Sequence, residues 1–134
     1  MRYPLRALLA LASAWLLVGC SSGPQESSDL PQVEMMVDVA GLLREYTADN
    51  NKGPTKVADL AKYETLYSRG YQQVKGGSIV VVWGVPMPMT GGGTGVIAYE
   101  KKAEAEGGAV LFENGSSKMM TAAEFAAAPK AGKK

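Results

Sequence analysis

The sequence predicts an α+β fold: an N-terminal amphipathic helix and short helical turns packed on a three- to four-stranded antiparallel sheet. Three observations predict it. Apolar residues recur in steps of three and four between Val33 and Tyr46. Three β-rich runs follow residue 77, with glycine-containing connections between them. Asn114-Gly115 follows the last of these runs, where a tight hairpin needs residues that accept positive φ.

The helix starts with Asp29 as cap, Pro31 in the first turn and Gln32 at the capping-box position. Val33, Met36, Val37, Ala40, Leu43 and Tyr46 form its apolar stripe. Asn50-Asn51-Lys52-Gly53-Pro54 stops it with left-handed-tolerant residues and a breaker. Thr55 is the expected cap of a second, short helix holding Val57, Leu60 and Ala61. Between Tyr63 and Lys75 the pattern fits either a short helix or a packed turn, ended by Gly76-Gly77.

Ser78 to Trp83 is apolar and β-branched without alternation, which predicts a central strand covered on both faces. Gly95 to Lys101 and Ala109 to Glu113 are the next strands, and Lys118-Met119-Met120 is a short returning strand. Thr121-Ala122-Ala123-Glu124 reads as a capping box opening a last helix, Ala122 to Ala128, ended by Pro129. One domain over residues 32–129 is therefore expected, with residues 130–134 as a frayed tail.

The N-terminal segment has the parts of a secretory signal: basic Arg2 and Arg6, an apolar stretch from Ala7 to Val18, and small residues before a cut. The stretch is too short for a bilayer span, which needs roughly 20 apolar residues. Leu17-Val18-Gly19-Cys20 reads as a lipobox, and Cys20 is the one cysteine of the chain. It resembles the acylation site of bacterial lipoproteins, which implies a thioether diacylglycerol and an N-acyl chain such as palmitate. Two or more chains give stable attachment where one gives marginal binding. Residues 1–19 are thus the expected signal peptide and membrane lipid, held through Cys20, the first expected partner. Residues 20–31 form the tether, whose Ser21–Ser28 stretch lacks any apolar residue. Ser21 follows the cysteine where an Asp would favour the inner membrane, so the analogy points to the outer membrane of the cell envelope.

Composition excludes several classes. Arg2 and Arg6 account for two of the 14 basic side chains, leaving 12 against 13 acidic ones. Such a balance lacks the footprint of a nucleic-acid binder. The chain has no histidine, and acylation of Cys20 would leave no free thiol. Without a histidine base, a cysteine nucleophile or a Gly-x-Ser-x-Gly elbow, no catalytic residue and no enzyme activity are expected. No cofactor and no metal site are expected either.

Leu43-Arg44-Glu45-Tyr46, Gly53-Pro54-Thr55 and Asp59-Leu60 resemble the passage where the long helix of type II secretion pseudopilins ends. Val110 to Ser116, with Met120-Thr121 and Glu124-Phe125, is similar to a passage of small bacterial lipoproteins built on that domain. The resemblance covers residues 33–128 and implies a helix packed on a small antiparallel sheet. It implies neither filament assembly nor a calcium site. The chain lacks the transmembrane helix of a pseudopilin, and residues 84–95 contain no carboxylate.

That long connection, Gly84 to Gly95, is the candidate contact loop, through Met87, Met89, Thr90, Gly91, Gly92 and Gly93. It is expected to be a flexible connection whose methionines cover the edge of the core, and deleting Met87 to Gly93 separates an unpacked loop from one that belongs to the core. Two thioethers without His or Cys make a weak copper site. Tyr46, Tyr63, Tyr67, Tyr71, Tyr99 and Trp83 are expected as core rims, and Glu100, Glu104, Glu106 and Glu113 as solvated surface. The leading expectation is a lipid-anchored, non-enzymatic interaction or structural module with an envelope protein as partner. The alternatives are a small-solute or metal-binding lipoprotein, with a cavity beside Trp83 and Tyr99, and an accessory of a type II secretion or pilus-like system.

Overall fold

A computed structural model of the chain describes residues 30–133. The expected lipobox residues Leu17, Val18, Gly19 and Cys20, the Ser21–Ser28 tether and the Asp29 cap lie outside the described residues. Helix α1 runs from Leu30 to Asn50 and stops where the sequence places its stop: Asn51 takes φ +55°. Its buried residues are Met36, Val39, Ala40, Leu42, Leu43 and Tyr46. This corrects the expected stripe. Val37 is 63% exposed, while Val39 and Leu42 are fully buried. The apolar residues of α1 surround much of the helix, and packing decides which face is inside. The helix is held by the sheet and by a second helix together, so its buried arc is wide.

A 3-10 helix, Val57–Tyr63, follows. Its expected cap is reversed. The Asp59 carboxylate accepts from the Thr55 N–H (2.9 Å), the Thr55 hydroxyl (3.0 Å) and the Lys56 N–H (3.3 Å). Helix α2, Ser68–Lys75, resolves the ambiguous stretch. It crosses α1 closely, because a methyl on Gly70 would lie 2.9 Å from both Asp38 Cβ and the Val39 nitrogen.

Four antiparallel strands form a meander in the order β1 (Ile79–Val81), β2 (Val96–Glu100), β3 (Gly108–Phe112) and β4 (Ser117–Met120). Strand β1 is an edge strand of three residues, not the expected central one. A run without alternation suggested two covered faces, but Val80 is only half-buried and Trp83 is exposed. The run is apolar because Ile79 and Val81 enter the core and Val82, whose N–H still donates to Ile97 O (2.8 Å), packs against it before the chain turns away at Trp83 and Gly84. Pairing shifts register between Val96 and Ala98. This bulge puts Ile97 and Ala98 on the same side, with α1, while Val96 joins the opposite side.

The main core lies between the helices and one sheet face, around Met36, Leu42, Leu43, Leu60, Ile97 and Leu111. A smaller core on the other face joins Val96, Ala103, Val110 and Phe125. It is closed by a 3-10 helix, Lys101–Glu104, and by α3, Ala122–Ala127. Met119 and Met120 go to the two different faces. The α3 capping box is present in both directions: Glu124 N–H to Thr121 Oγ1 (3.2 Å) and Thr121 N–H to Glu124 Oε2 (2.8 Å). At the Asn114-Gly115 hairpin only Gly115 takes positive φ, at +87°.

The expected frayed tail is a further correction. Val96 donates its N–H to Pro129 O (2.9 Å) and accepts from the Ala131 N–H (2.8 Å). Ala131 is 3% exposed and joins the main core. The segment pairs with β2 beyond the point where β1 ends, satisfying backbone groups that the short edge strand leaves open. Lys130 Nζ donates to Phe125 O (2.7 Å) and Ala128 O (2.8 Å), stopping α3 as a basic residue at a helix C-terminus does. Among the described residues, no helix is long and apolar enough to cross a membrane.

Candidate interaction surface

Strand β1 ends because Gly84 turns the chain at φ +83° and Pro86 and Pro88 lack the N–H that a sheet needs. After the turn at Trp83 and Gly84 the chain leaves the sheet as a ledge, Val85 to Pro88, and bends at Met89. The first half of the connection over residues 84–95 is held to the body of the domain, while its glycine-rich second half is exposed. The Gly84 N–H donates to Pro54 O (2.7 Å), and the Met87 N–H donates to Thr47 Oγ1 (3.0 Å). A methyl on Gly53 would overlap the Val85 backbone, and one on Gly132 would lie 2.9 Å from Val85 Cγ2. Val85 is therefore clasped between the α1 exit turn and the C-terminal segment.

The six expected contact residues divide. Met87 is fully buried in the main core and cannot touch a partner. Met89 is 58% exposed, and Thr90, Gly91, Gly92 and Gly93 are exposed as expected. A methyl on Gly92 would overlap Glu113 O, so the glycine stretch lies against the β3–β4 turn. Trp83, expected at the core rim, is 36% exposed and opens the turn at Gly84.

The ledge sits at the C-terminal end of α1, through Thr47 and Pro54, whereas the chain enters α1 at Leu30. Seventeen residues separate Leu30 from Thr47, which is roughly 25 Å at about 1.5 Å per residue. The ledge and Leu30, the first described residue, therefore lie at opposite ends of the helix.

Of the carboxylates expected as solvated surface, Glu104 and Glu106 are exposed as expected, while Glu100 and Glu113 are half-buried, and Glu100, Glu104 and Glu113 accept hydrogen bonds. Glu100 Oε2 accepts from the Ala109 N–H (2.7 Å), Glu113 Oε2 from the Gly95 N–H (3.0 Å), and Glu104 Oε1 from the Tyr99 hydroxyl (3.0 Å). Tyr99 also packs on Phe125 with ring centroids 4.6 Å apart. Asp49 accepts from Lys62 Nζ (2.8 Å) and Tyr63 Oη (2.6 Å). These hydrogen bonds, with the Lys62 charge, hold its carboxyl below the usual range. Burial, with the Asp49 contact behind it, raises the Tyr63 phenol. Among the described residues, no group of three or more His, Cys, Asp or Glu is close enough to hold a metal ion.

An open surface cleft of about 480 Å³ lies at the other end, lined by Gln32, Lys102, Gly108, Met119, Met120 and Glu124 among others. Neither Trp83 nor Tyr99 lines it, so it is not the cavity the solute-binding alternative expected.

No family model, curated protein or solved structure matches this chain. The resemblance to pseudopilins consequently rests on the sequence passages alone.

Proposed function

We propose that the protein is a lipid-anchored envelope protein whose domain serves as a non-enzymatic interaction module. Cys20 carries the acyl chains, in the outer membrane by the Ser21 analogy. The domain presents the ledge and the glycine stretch to an envelope protein. One observation supports the reading: the exposed Met89 and Trp83 lie on a segment hydrogen-bonded to the end of α1 away from Leu30. A surface held in place loses little freedom on docking, which favours binding.

The cleft at Gln32, Met119 and Met120 favours the small-solute alternative, since Gln32 Oε1 is buried and finds no hydrogen-bond partner among the described residues. An accessory role in a type II secretion or pilus-like system is supported by the resemblance only.

Cell fractionation of Cys20→Ser tests the anchor. The variant is expected to leave the membrane fraction or to accumulate as an uncleaved precursor. Unchanged processing with full membrane retention overturns the reading.

A further inference from the structure

We infer that residues 88–94 form a strap over the β3–β4 turn, fastened by the Glu113 side chain, and that this fastening sets how Met89 is presented. The inference rests on the interaction-module reading and names a device that regulates its surface.

The strap is defined by its ends. Met87 and Gly95 are both buried. The Met87 N–H donates to Thr47 Oγ1 (3.0 Å). Gly95 and Glu113 are joined twice: the Glu113 N–H donates to Gly95 O (2.9 Å), and the Gly95 N–H donates to Glu113 Oε2 (3.0 Å). Every residue between these ends is exposed, and none makes a hydrogen bond to another protein group among the described residues. Gly91 and Gly92 take φ +72° and +110°, which glycine adopts without steric cost. Such a segment swings between its two fixed points except where something beneath holds it.

Glu113 lies beneath. A methyl on Gly92 would overlap Glu113 O, and methyls on Gly93 and Gly95 would lie 2.5 Å and 2.7 Å from Glu113 Oε2. Two glycines thus close on the one carboxylate oxygen that also takes the Gly95 N–H. Among the described residues, this carboxylate forms no ion pair; the pairs present are Lys62 with Asp49 and Lys102 with Glu100. The Arg44 guanidinium reaches the same turn but donates to Asn114 O (3.4 Å). Glu113 Oε2 therefore serves the strap. Met89, 58% exposed, is the large apolar side chain that the strap carries. Fastened, it stands on a held segment; unfastened, it rides on a swinging chain whose freedom is lost on docking. Glu113 is a positioning residue, acting on Met89 through the glycine stretch.

The test uses the full lipidated chain in zwitterionic detergent micelles. Nitrogen-15 relaxation reports motion at Gly91, Gly92 and Gly93, and hydrogen exchange reports the Gly95 amide. Glu113→Ala is expected to increase motion at the three glycines and to speed Gly95 exchange about fivefold. Glu113→Gln keeps an acceptor oxygen and is expected to stay closer to the parent than to the alanine variant. Gly93→Ala is expected to loosen the strap in the parent but to add little in Glu113→Ala, where the atom its methyl meets is gone. Melting temperatures should show that every variant is folded.

Unchanged glycine motion in Glu113→Ala, or an equal effect of Gly93→Ala in both backgrounds, overturns the fastening. A photocrosslinker in place of Met89 in cells reads the presentation. The crosslinked product is expected to fall in Glu113→Ala and to return in Glu113→Gln. A loosened strap with an unchanged product overturns the regulation and leaves the interaction module standing. No product in any variant overturns the module, while the relaxation data decide the fastening by themselves.

Discussion

The Thr47 hydroxyl accepts the Met87 N–H at 3.0 Å and donates to Leu43 O at 2.8 Å. Residues forty apart are joined by one side chain of α1, and that joint holds the start of the long connection against the helix. Met87 then fills a fully buried site in the main core. Replacing it with alanine removes that packing and leaves a cavity. Met87→Ala is expected to cost about 2–5 kcal/mol. A domain near 100 residues loses about 4–8 °C per kcal/mol, so melting should fall by roughly 10 °C or more. Met89→Ala, two residues on and exposed, should stay within about 0.5 kcal/mol of the parent. Equal melting temperatures for the two variants would contradict the inward placement of Met87.

The Asp49–Lys62–Tyr63 cluster predicts a pH dependence. The Asp49 carboxyl is lowered by the Lys62 and Tyr63 hydrogen bonds and the Lys62 charge. Asp59 is lowered mainly by the Thr55 N–H, and Glu124 mainly by the Thr121 N–H. A carboxylate with a depressed folded pKa binds fewer protons folded than unfolded. Its contribution is present above the unfolded values, about 3.9 for Asp and 4.3 for Glu, and is lost as pH falls through the folded value. Urea midpoints should therefore drop below about pH 4. Asp49→Asn should be less stable at pH 7 and fall less steeply in acid. Lys62 is raised by the same contact, so its share is present below about pH 10.4 and lost above. The pair is largely exposed, and salt should reduce the difference between variant and parent. A parallel acid profile in Asp49→Asn would remove Asp49 from this account.

Local grammar made much of the fold legible. The Asn51 stop, the Thr121–Glu124 box and the Gly115 turn each depend on a few neighbouring residues, and each is found where the sequence places it. What failed is set by partners distant in sequence. Val39 and Leu42 are buried because α2 and the sheet share α1 between them, which a period of 3.6 cannot report. The edge position of β1 follows from the meander order, and the duties of Glu100 and Glu113 follow from backbone groups nine and eighteen residues away. At the candidate surface, Thr90 to Gly93 were legible as exposed, being glycine-rich. The opposite fates of Met87 and Met89 were not, since alternation along an extended segment has meaning only once a wall stands beside it.

Gly53 sets how closely the α1 exit turn approaches the ledge. Its added methyl would overlap the carbonyl group of Val85, which is backbone and cannot rotate away. Gly53→Ala must push the ledge or the turn outward, endangering the Gly84–Pro54 hydrogen bond at 2.7 Å. Overpacking of this kind costs about 1–3 kcal/mol. The check is thermal melting together with hydrogen exchange at the Gly84 and Met87 amides, which should lose protection. Gly84 protection unchanged from the parent would show that the turn adapts without moving the ledge.

The C-terminal segment gives the clearest stability test, because the sequence suggests a frayed tail and the structure pairs it with β2. A chain ending at Pro129 loses the Ala131 N–H bond to Val96 O, the buried Ala131 methyl and the Lys130 bonds to Phe125 O and Ala128 O. Lys130 Nζ also lies 4.0 Å from the Phe125 ring centroid, over the smaller core. At about 1 kcal/mol net per hydrogen bond, somewhat more where a charge takes part, the truncation should cost roughly 2–4 kcal/mol. Removing only Lys133 and Lys134 leaves all of these contacts in place and should be near neutral. Lys130→Met separates the contributions, since it keeps the aliphatic cover over Phe125 while leaving the α3 carbonyls without the ammonium. If the chain ending at Pro129 melts with the parent, the pairing with Val96 contributes nothing, and the segment behaves as the tail its composition suggests.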